Sequence, residues 1–398
     1  MSYFSQGQHS QQQQQQHSWQ QPATIATPQH PQLAPVVLTS TILESFKVTK
    51  IFKDNTQIIT SLDFDDSGTK CITSAEDESL HVYDCTAGKL HKTLFSKKYG
   101  VHLARFTHRS TNVVYASTKE DDTLRYLSLH DNRYIRYFKG HEKKVVALEM
   151  SPLDDQFIAG SEDAVRLWDL RSPNCQGAVS IVGRPAVAFD PSGLVFAVAL
   201  DATLRLYDVK SFDQGPFQTA EIGSSLGIHS QNIRATQLEF STDGKNILVT
   251  TSGDAHYVID AYSVETKFKL TGHSYGTDPS DTFPSGGEAS WTPDGKCVLS
   301  GSRDGWIYLW DIARASQEPM NVLNSNGASG SNGTLVGPNR ELSPFKVLKA
   351  HSTPSHIVGF NPKYLMMVSG STELAFWEPD PNIVGLDALH DFSSGVRH

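Results

Sequence analysis

The sequence predicts an all-β fold: a seven-bladed propeller closed by an N-terminal strand, behind a disordered glutamine-rich tail. Three observations carry this. A unit of three short apolar runs separated by turns recurs seven times. The first closing positions, Tyr83, Leu127, Trp168 and Tyr207, lie 44, 41 and 39 residues apart, near the ~40–45-residue period of a four-stranded blade. The last unit lacks a following outer strand, and the run SFKVTKIF at 45–52, ahead of the first unit, is placed to supply it.

In chain order, residues 1–40 come first, with six glutamines at 11–16 and the stretch TPQHPQLAP. So polar a segment buries too little surface to offset the entropy of ordering it, and reads as a disordered tail. The propeller spans 41–379. The first runs of its units read SLDFDDSG, LARFTHRS, ALEMSPLD, AVAFDPSG, QLEFSTDG, EASWTPDG and IVGFNPKY. The third runs close at Tyr83, Leu127, Trp168, Tyr207, Tyr262, Trp310 and Trp377. Asp-Gly, Ser-Gly and Asn-Pro pairs supply turns between strands. Residues 315–342, which include SNGASGSNG, read as a flexible surface insertion, and 380–398 as a C-terminal tail.

Composition narrows the function. The formal net charge of -9 over 398 residues argues against nucleic acid as a direct partner, because phosphate binding needs a dominant basic face. The longest apolar run, 194–200, is too short to span a bilayer, and no secretory signal opens the chain, so no membrane partner is expected. The four cysteines show no C-x-x-C spacing and read as buried thiols in a reducing compartment, the cytosol or nucleus.

Two units carry residues that look catalytic. Unit three has His141, Ser161, Asp163 and Trp168, and unit six has His273, Ser302, Asp304 and Trp310. A hydrolase triad needs one exposed nucleophile and an oxyanion hole. A set recurring in more than one unit instead suggests a buried hydrogen-bond chain that satisfies polar groups where loop meets blade. That pattern resembles the WD-repeat family. Units one, two and seven depart from it, with no Gly-His, with Leu127-Ser128, and with Thr372 in place of the turn Asp. They are expected to rely on apolar packing. The chain has no phosphate-binding loop, no H-E-x-x-H and no Cys/His cluster at ligand spacing, so no cofactor, no metal and no enzyme are expected.

Two constellations concern interaction. Lys144, Arg184 and Arg234 stand just ahead of the first strands of units three, four and five, and Arg303 precedes a turn Asp. Together they suggest a basic patch round one mouth of the channel, suited to an acidic or phosphorylated peptide. Asp63, Arg105 and Glu149 each precede the anchor of units one, two and three, so Arg105 is placed to bridge two carboxylates between blades.

The runs KKYGVHLARFTHRSTNVVYAS at 97–117, DDTLRYLSLHDNRYIRYFKGH at 121–141 and VRLWDLRSPNCQG at 165–177 are more distinctive. They resemble the WD-repeat subunit shared by COMPASS, the histone H3 lysine-4 methyltransferase complex, and the phosphatase-containing module of mRNA 3′-end processing and transcription termination. The resemblance covers about 46–377. It implies a nuclear, non-catalytic adaptor whose partners are the methyltransferase catalytic subunit, other COMPASS subunits, the 3′-end-processing phosphatase module and the phosphorylated RNA polymerase II tail. The alternative rests on Trp168-Asp169-Leu170-Arg171, which has the W-D-x-R form of substrate receptors in cullin-based ubiquitin ligases.

Overall fold

The computed structural model describes residues 37–228, 233–274, 287–317 and 340–384, in which the chain forms seven sheets arranged as a β-propeller. Blade one comprises Ile59–Phe64, Lys70–Ala75, Ser79–Asp84 and Lys89–Phe95. Blade two comprises His102–Phe106, Asn112–Ala116, Leu124–Ser128 and Arg133–Phe138. Blade three follows with Val145–Met150, Gln156–Ser161, Ala164–Asp169 and Ser172–Ser180, and blade four with Ala186–Phe189, Val195–Leu200, Thr203–Asp208 and Gln218–Glu221. Blade five is Ala235–Phe240, Asn246–Thr251, His256–Asp260 and Thr266–Leu270; blade six is Ala289–Trp291, Cys297–Gly301, Trp306–Asp311 and Lys346–Lys349. Blade seven takes Ile357–Phe360, Met367–Gly370 and Leu374–Glu378 from the end of the chain and Lys47–Phe52 from its beginning.

That last pairing closes the ring as the sequence predicts. Lys47–Phe52 runs antiparallel to Leu374–Glu378, with Val48 opposite Trp377 and Phe52 opposite Leu374. The Phe52 ring then packs 4.7 Å from Tyr83 of blade one and 5.0 Å from Phe376 of blade seven. One residue from the start of the propeller thus ties its last blade to its first.

The core lies between blades. One buried cluster joins Val114, Phe138 and Leu148 to Phe157 and Trp168, across blades two and three. Another joins Leu204 and Leu206 of blade four to Ile247 and Ile259 of blade five. Each sheet is apolar on both faces, and only a neighbour on each side can cover them. The turns joining first and second strands repeat a Gly at φ between +64° and +69° in four blades (Gly68, Gly193, Gly244 and Gly295), a conformation that strains any residue with a Cβ.

Several details differ from expectation. Tyr262 does not close blade five. Its third strand ends at Asp260, Ile259 stands opposite Ile247 where the other blades place their closing residue, and Tyr262 sits 75% exposed in the turn. The marker is the aspartate after the closing position. Asp84, Asp169, Asp208, Asp260 and Asp311 each accept a backbone N–H from the next turn, at 2.7–2.9 Å. Cys71, Cys85 and Cys297 are buried, whereas Cys175 is exposed on the outer strand of blade three.

Residue 315 belongs to a short helix, Ile312–Gln317, and Glu341–Leu342 adds a fifth strand to blade five, parallel to Thr266–Leu270. Residues 318–339, most of the sequence-predicted insertion, lie outside the described residues, as do 1–36 of the glutamine-rich tail and 385–398 of the C-terminal one. Among the described residues no helix is long and apolar enough to cross a membrane.

Candidate functional site

The two His–Ser–Asp sets form different arrangements. In blade three, His141 Nδ1 lies 2.7 Å from Ser161 Oγ, which donates to Asp163; Arg166 holds the other oxygen of Asp163 at 2.7 Å. Trp168 stops short of this chain, and its Nε1 has no hydrogen-bond partner among the described residues. In blade six, Ser302 exchanges bonds with the backbone of Ser274 at 3.1 and 3.2 Å, and Asp304 accepts from Tyr308 Oη at 2.6 Å. His273 takes no part, its ring lying 4.1 Å from that of His256, and Trp310 Nε1 donates to the Thr271 carbonyl at 3.0 Å.

Blade seven was expected to depend on apolar packing. It instead holds an unbroken chain, with His351 Nε2 at 2.8 Å from Ser369 Oγ and Trp377 Nε1 donating to the same oxygen at 2.9 Å. The sequence carries the signal in Ala350-His351 and Ser369, without the glycine that flagged the other units.

None of these groups is set up for nucleophilic chemistry. Ser161, Ser302 and Ser369 are wholly buried, out of reach of any substrate. Burial, with Arg166 adding to it, lowers the His141 imidazole to about 4, and burial lowers His351 to about 4 as well, so both are neutral at pH 7. Among the described residues no group of His, Cys, Asp and Glu is arranged to hold a metal.

First strands of blades one, two, five, six and seven line a cavity at the centre of the ring. Arg105 Nε lies 3.7 Å from Glu149 Oε2, and its Nη1 donates to the Leu62 and Ala104 carbonyls at 3.4 and 3.3 Å. Asp63 is anchored instead by the Phe106 N–H, at 2.6 Å, though the charge of Arg105 still acts on it. Sequence reasoning missed Glu239, which precedes Phe240 as Glu149 precedes Met150, and so stood at the same place in its unit. Asp63, Arg105 and Glu239 border a cavity of about 140 Å³ that Gln237, Ser290 and Phe360 also line. Enclosure disfavours carboxylate charge: Asp63 is pushed up to about 7 and Glu239 to about 8, with the neighbouring Glu149 adding to both.

Lys144, Arg184 and Arg234 stand at the entrances to blades three, four and five. Lys144, Arg105 and Arg184 lie close enough to His102 to help hold its buried imidazole at about 3, and Arg184 also lowers Lys144. Asp122, Glu162 and Glu76 act on Lys144 in the other direction, so this cationic arc is partly balanced. Arg184 and Arg234 are exposed, and Arg303 lies on the next blade with its backbone N–H bonded to the Ser274 carbonyl at 2.8 Å.

A family model described as WD domain, G-beta repeat matches residues 46–84, 132–169 and 288–311. The WD repeat-containing protein 82 of Drosophila melanogaster is 41% identical, covering 86% of this chain and 98% of its own length. The Set1 complex component swd2 of Schizosaccharomyces pombe is 37% identical over 86% of this chain and 99% of its own. The COMPASS component SWD2 of Saccharomyces cerevisiae is 35% identical over 81% and 91%. The chain belongs to the Swd2 family of WD-repeat proteins. In this Swd2-family propeller, Trp168 is a wholly buried wedge between blades and Asp169 a turn cap. The W-D-x-R run also closes on itself, since the Arg171 guanidinium bonds both oxygens of Asp169 at 2.6–3.2 Å.

Proposed function

We propose that this protein is a non-catalytic scaffold subunit of a nuclear histone H3 lysine-4 methyltransferase complex of the COMPASS type. In this reading it helps hold the methyltransferase catalytic subunit among the other subunits and connects them to transcribing RNA polymerase II through its phosphorylated tail. A second seat in the phosphatase-containing 3′-end-processing and termination assembly belongs to the same reading. One observation carries it: relatives named as Set1-complex and COMPASS components align over nearly their whole lengths and over 81–86% of this chain. The wholly buried serines of the His–Ser–Asp sets fit a scaffold better than an enzyme.

The surface we assign to partner capture is the mouth at Lys144, Arg184 and Arg234, with Arg303 beside it, acting on an acidic or phosphorylated peptide. Affinity purification of the tagged full chain from nuclear extract, with mass spectrometry of the retained proteins, tests the assignment. The lysine methyltransferase and the 3′-end-processing phosphatase subunits are expected together. Recovery of a cullin and its adaptor instead would overturn it in favour of a ubiquitin-ligase receptor. Arg184→Glu with Arg234→Glu is expected to lose partners at least about tenfold while melting as the parent does; undiminished capture would remove the mouth from the account.

A further inference from the structure

Blade two ends in the outer strand Arg133–Phe138, beyond which its sheet has no further strand among the described residues. The strand is unusual in what it shows to solvent. Tyr134, Ile135 and Tyr137 are 36%, 47% and 43% exposed, and no other strand in the described residues carries more than one large exposed apolar side chain. Arg133 and Arg136 lie on it and Lys139 just beyond it; Arg133 faces Asp131 of the preceding turn at 3.9 Å, and Arg136 donates to the Leu170 carbonyl of blade three. An exposed apolar edge invites pairing, and folded proteins ordinarily cover such an edge or blunt it with charge.

The tyrosines are held ready. Arg125, buried beneath them, bonds both oxygens of Asp121 at 2.9 Å and Ser117 at 2.8 Å. Its guanidinium lies 3.5 Å from the Tyr99 ring centre, 5.7 Å from Tyr134 and 5.4 Å from Tyr137. Tyr134 Oη is 2.9 Å from Tyr115 Oη. A register shift in the pairing of the last two strands brings the rings of Tyr134 and Tyr137 to 5.4 Å from each other. The shelf therefore loses little side-chain freedom when something lies across it.

The molecule itself shows how such an edge is covered. On blade five, Glu341–Leu342 lies parallel to the outer strand, Lys269 grips Glu341 at 2.5 Å, and Leu342 is wholly buried. An acid set on a basic outer strand, with an aliphatic residue beside it, is the local solution.

We propose that the outer edge of blade two is a strand-addition site for an extended acidic segment of another subunit, one alternating carboxylates with β-branched residues. Main-chain hydrogen bonds would extend the sheet, carboxylates would meet Arg133 and Lys139, and aliphatic side chains would cover Ile135 and the tyrosine shelf. Single-stranded RNA also uses basic strips with aromatic faces, but it gains nothing from a strand's peptide edge or from Ile135. The inference rests on the scaffold reading only in expecting another subunit as occupant.

The test uses the full chain and a short fluorescent peptide of alternating glutamate and valine, with a lysine–valine peptide and oligouridine as comparisons. Saturable binding is expected, with slowed deuterium exchange confined to amides of 133–138. Arg133→Glu with Lys139→Glu should weaken it about tenfold without moving the melting temperature. Absence of binding, binding without protection of 133–138, or equal binding of the lysine–valine peptide overturns the proposal. Tighter binding of oligouridine that displaces the peptide assigns the edge to nucleic acid instead. Subunit recovery in the purification above does not depend on this outcome, so the two readings can fail separately.

Discussion

Ser369 receives the Trp377 indole and faces the His351 imidazole; the serine and the tryptophan are buried and the histidine half-buried. Replacing it with alanine takes the partner from both rings at once. Ser369→Ala is expected to cost about 2–4 kcal/mol, read as a lower urea midpoint at constant slope. The channel carboxylates work against the fold. Glu239 titrates near 8 in the native protein, against an ordinary glutamate value of 4.5. The native state therefore keeps a proton that the unfolded chain releases, and stability declines as pH rises from 4.5 to 8. Glu239→Gln removes that slope: the variant should gain about 1–3 kcal/mol at pH 7 and nothing near pH 4, measured by chemical unfolding at both values. An equal gain at both would mean that the benefit is packing.

At the scale of the element, the strand that matters most is the one sequence order places farthest from its partner. Lys47–Phe52 completes blade seven, and Phe52 inserts between Tyr83 and Phe376. Phe52→Ala should cost about 3–5 kcal/mol. If closure unlatches first, amides of Leu374–Glu378 will lose exchange protection in this variant before those of blades three and four; uniform loss would show that the ring opens as one unit. The outer strands are less alike than the inner ones. That of blade five is covered by Glu341–Leu342, whereas that of blade two pairs with no further strand among the described residues.

For the whole molecule, acid is the expected weakness. His102 titrates near 3 and His141, His273 and His351 near 4 in the folded ring, against an ordinary histidine value of 6.5. A histidine lowered in this way binds its proton more readily when unfolded, so its contribution is complete above pH 6.5 and is lost as pH falls toward the folded value. Thermal midpoints should fall steeply between pH 6.5 and 4, and His273→Phe, which removes one titrating group from the buried pair with His256, should shallow the descent. An unchanged slope would place the acid lability elsewhere.

The local chemistry was legible in sequence. The apolar alternation, the turn glycines and the buried Trp168, Trp310 and Trp377 followed from spacing, because each is dictated within one repeat, and the strand at 45–52 followed from the outer strand that the last repeat lacks. Even the error at Tyr262 was local: in blade five the turn-capping Asp260 ends the third strand, and the tyrosine two residues on sits in the turn. What only the tertiary structure decided is how repeats meet. Whether a histidine joins its serine or packs against another histidine, as His273 does, depends on the neighbouring blade. That Glu239 shares a cavity with Asp63 and Arg105 depends on closing the ring, which brings the first strands of distant blades around one axis. Periodicity specifies the blade; the charge state of the channel arises from contacts between blades, which no single repeat contains.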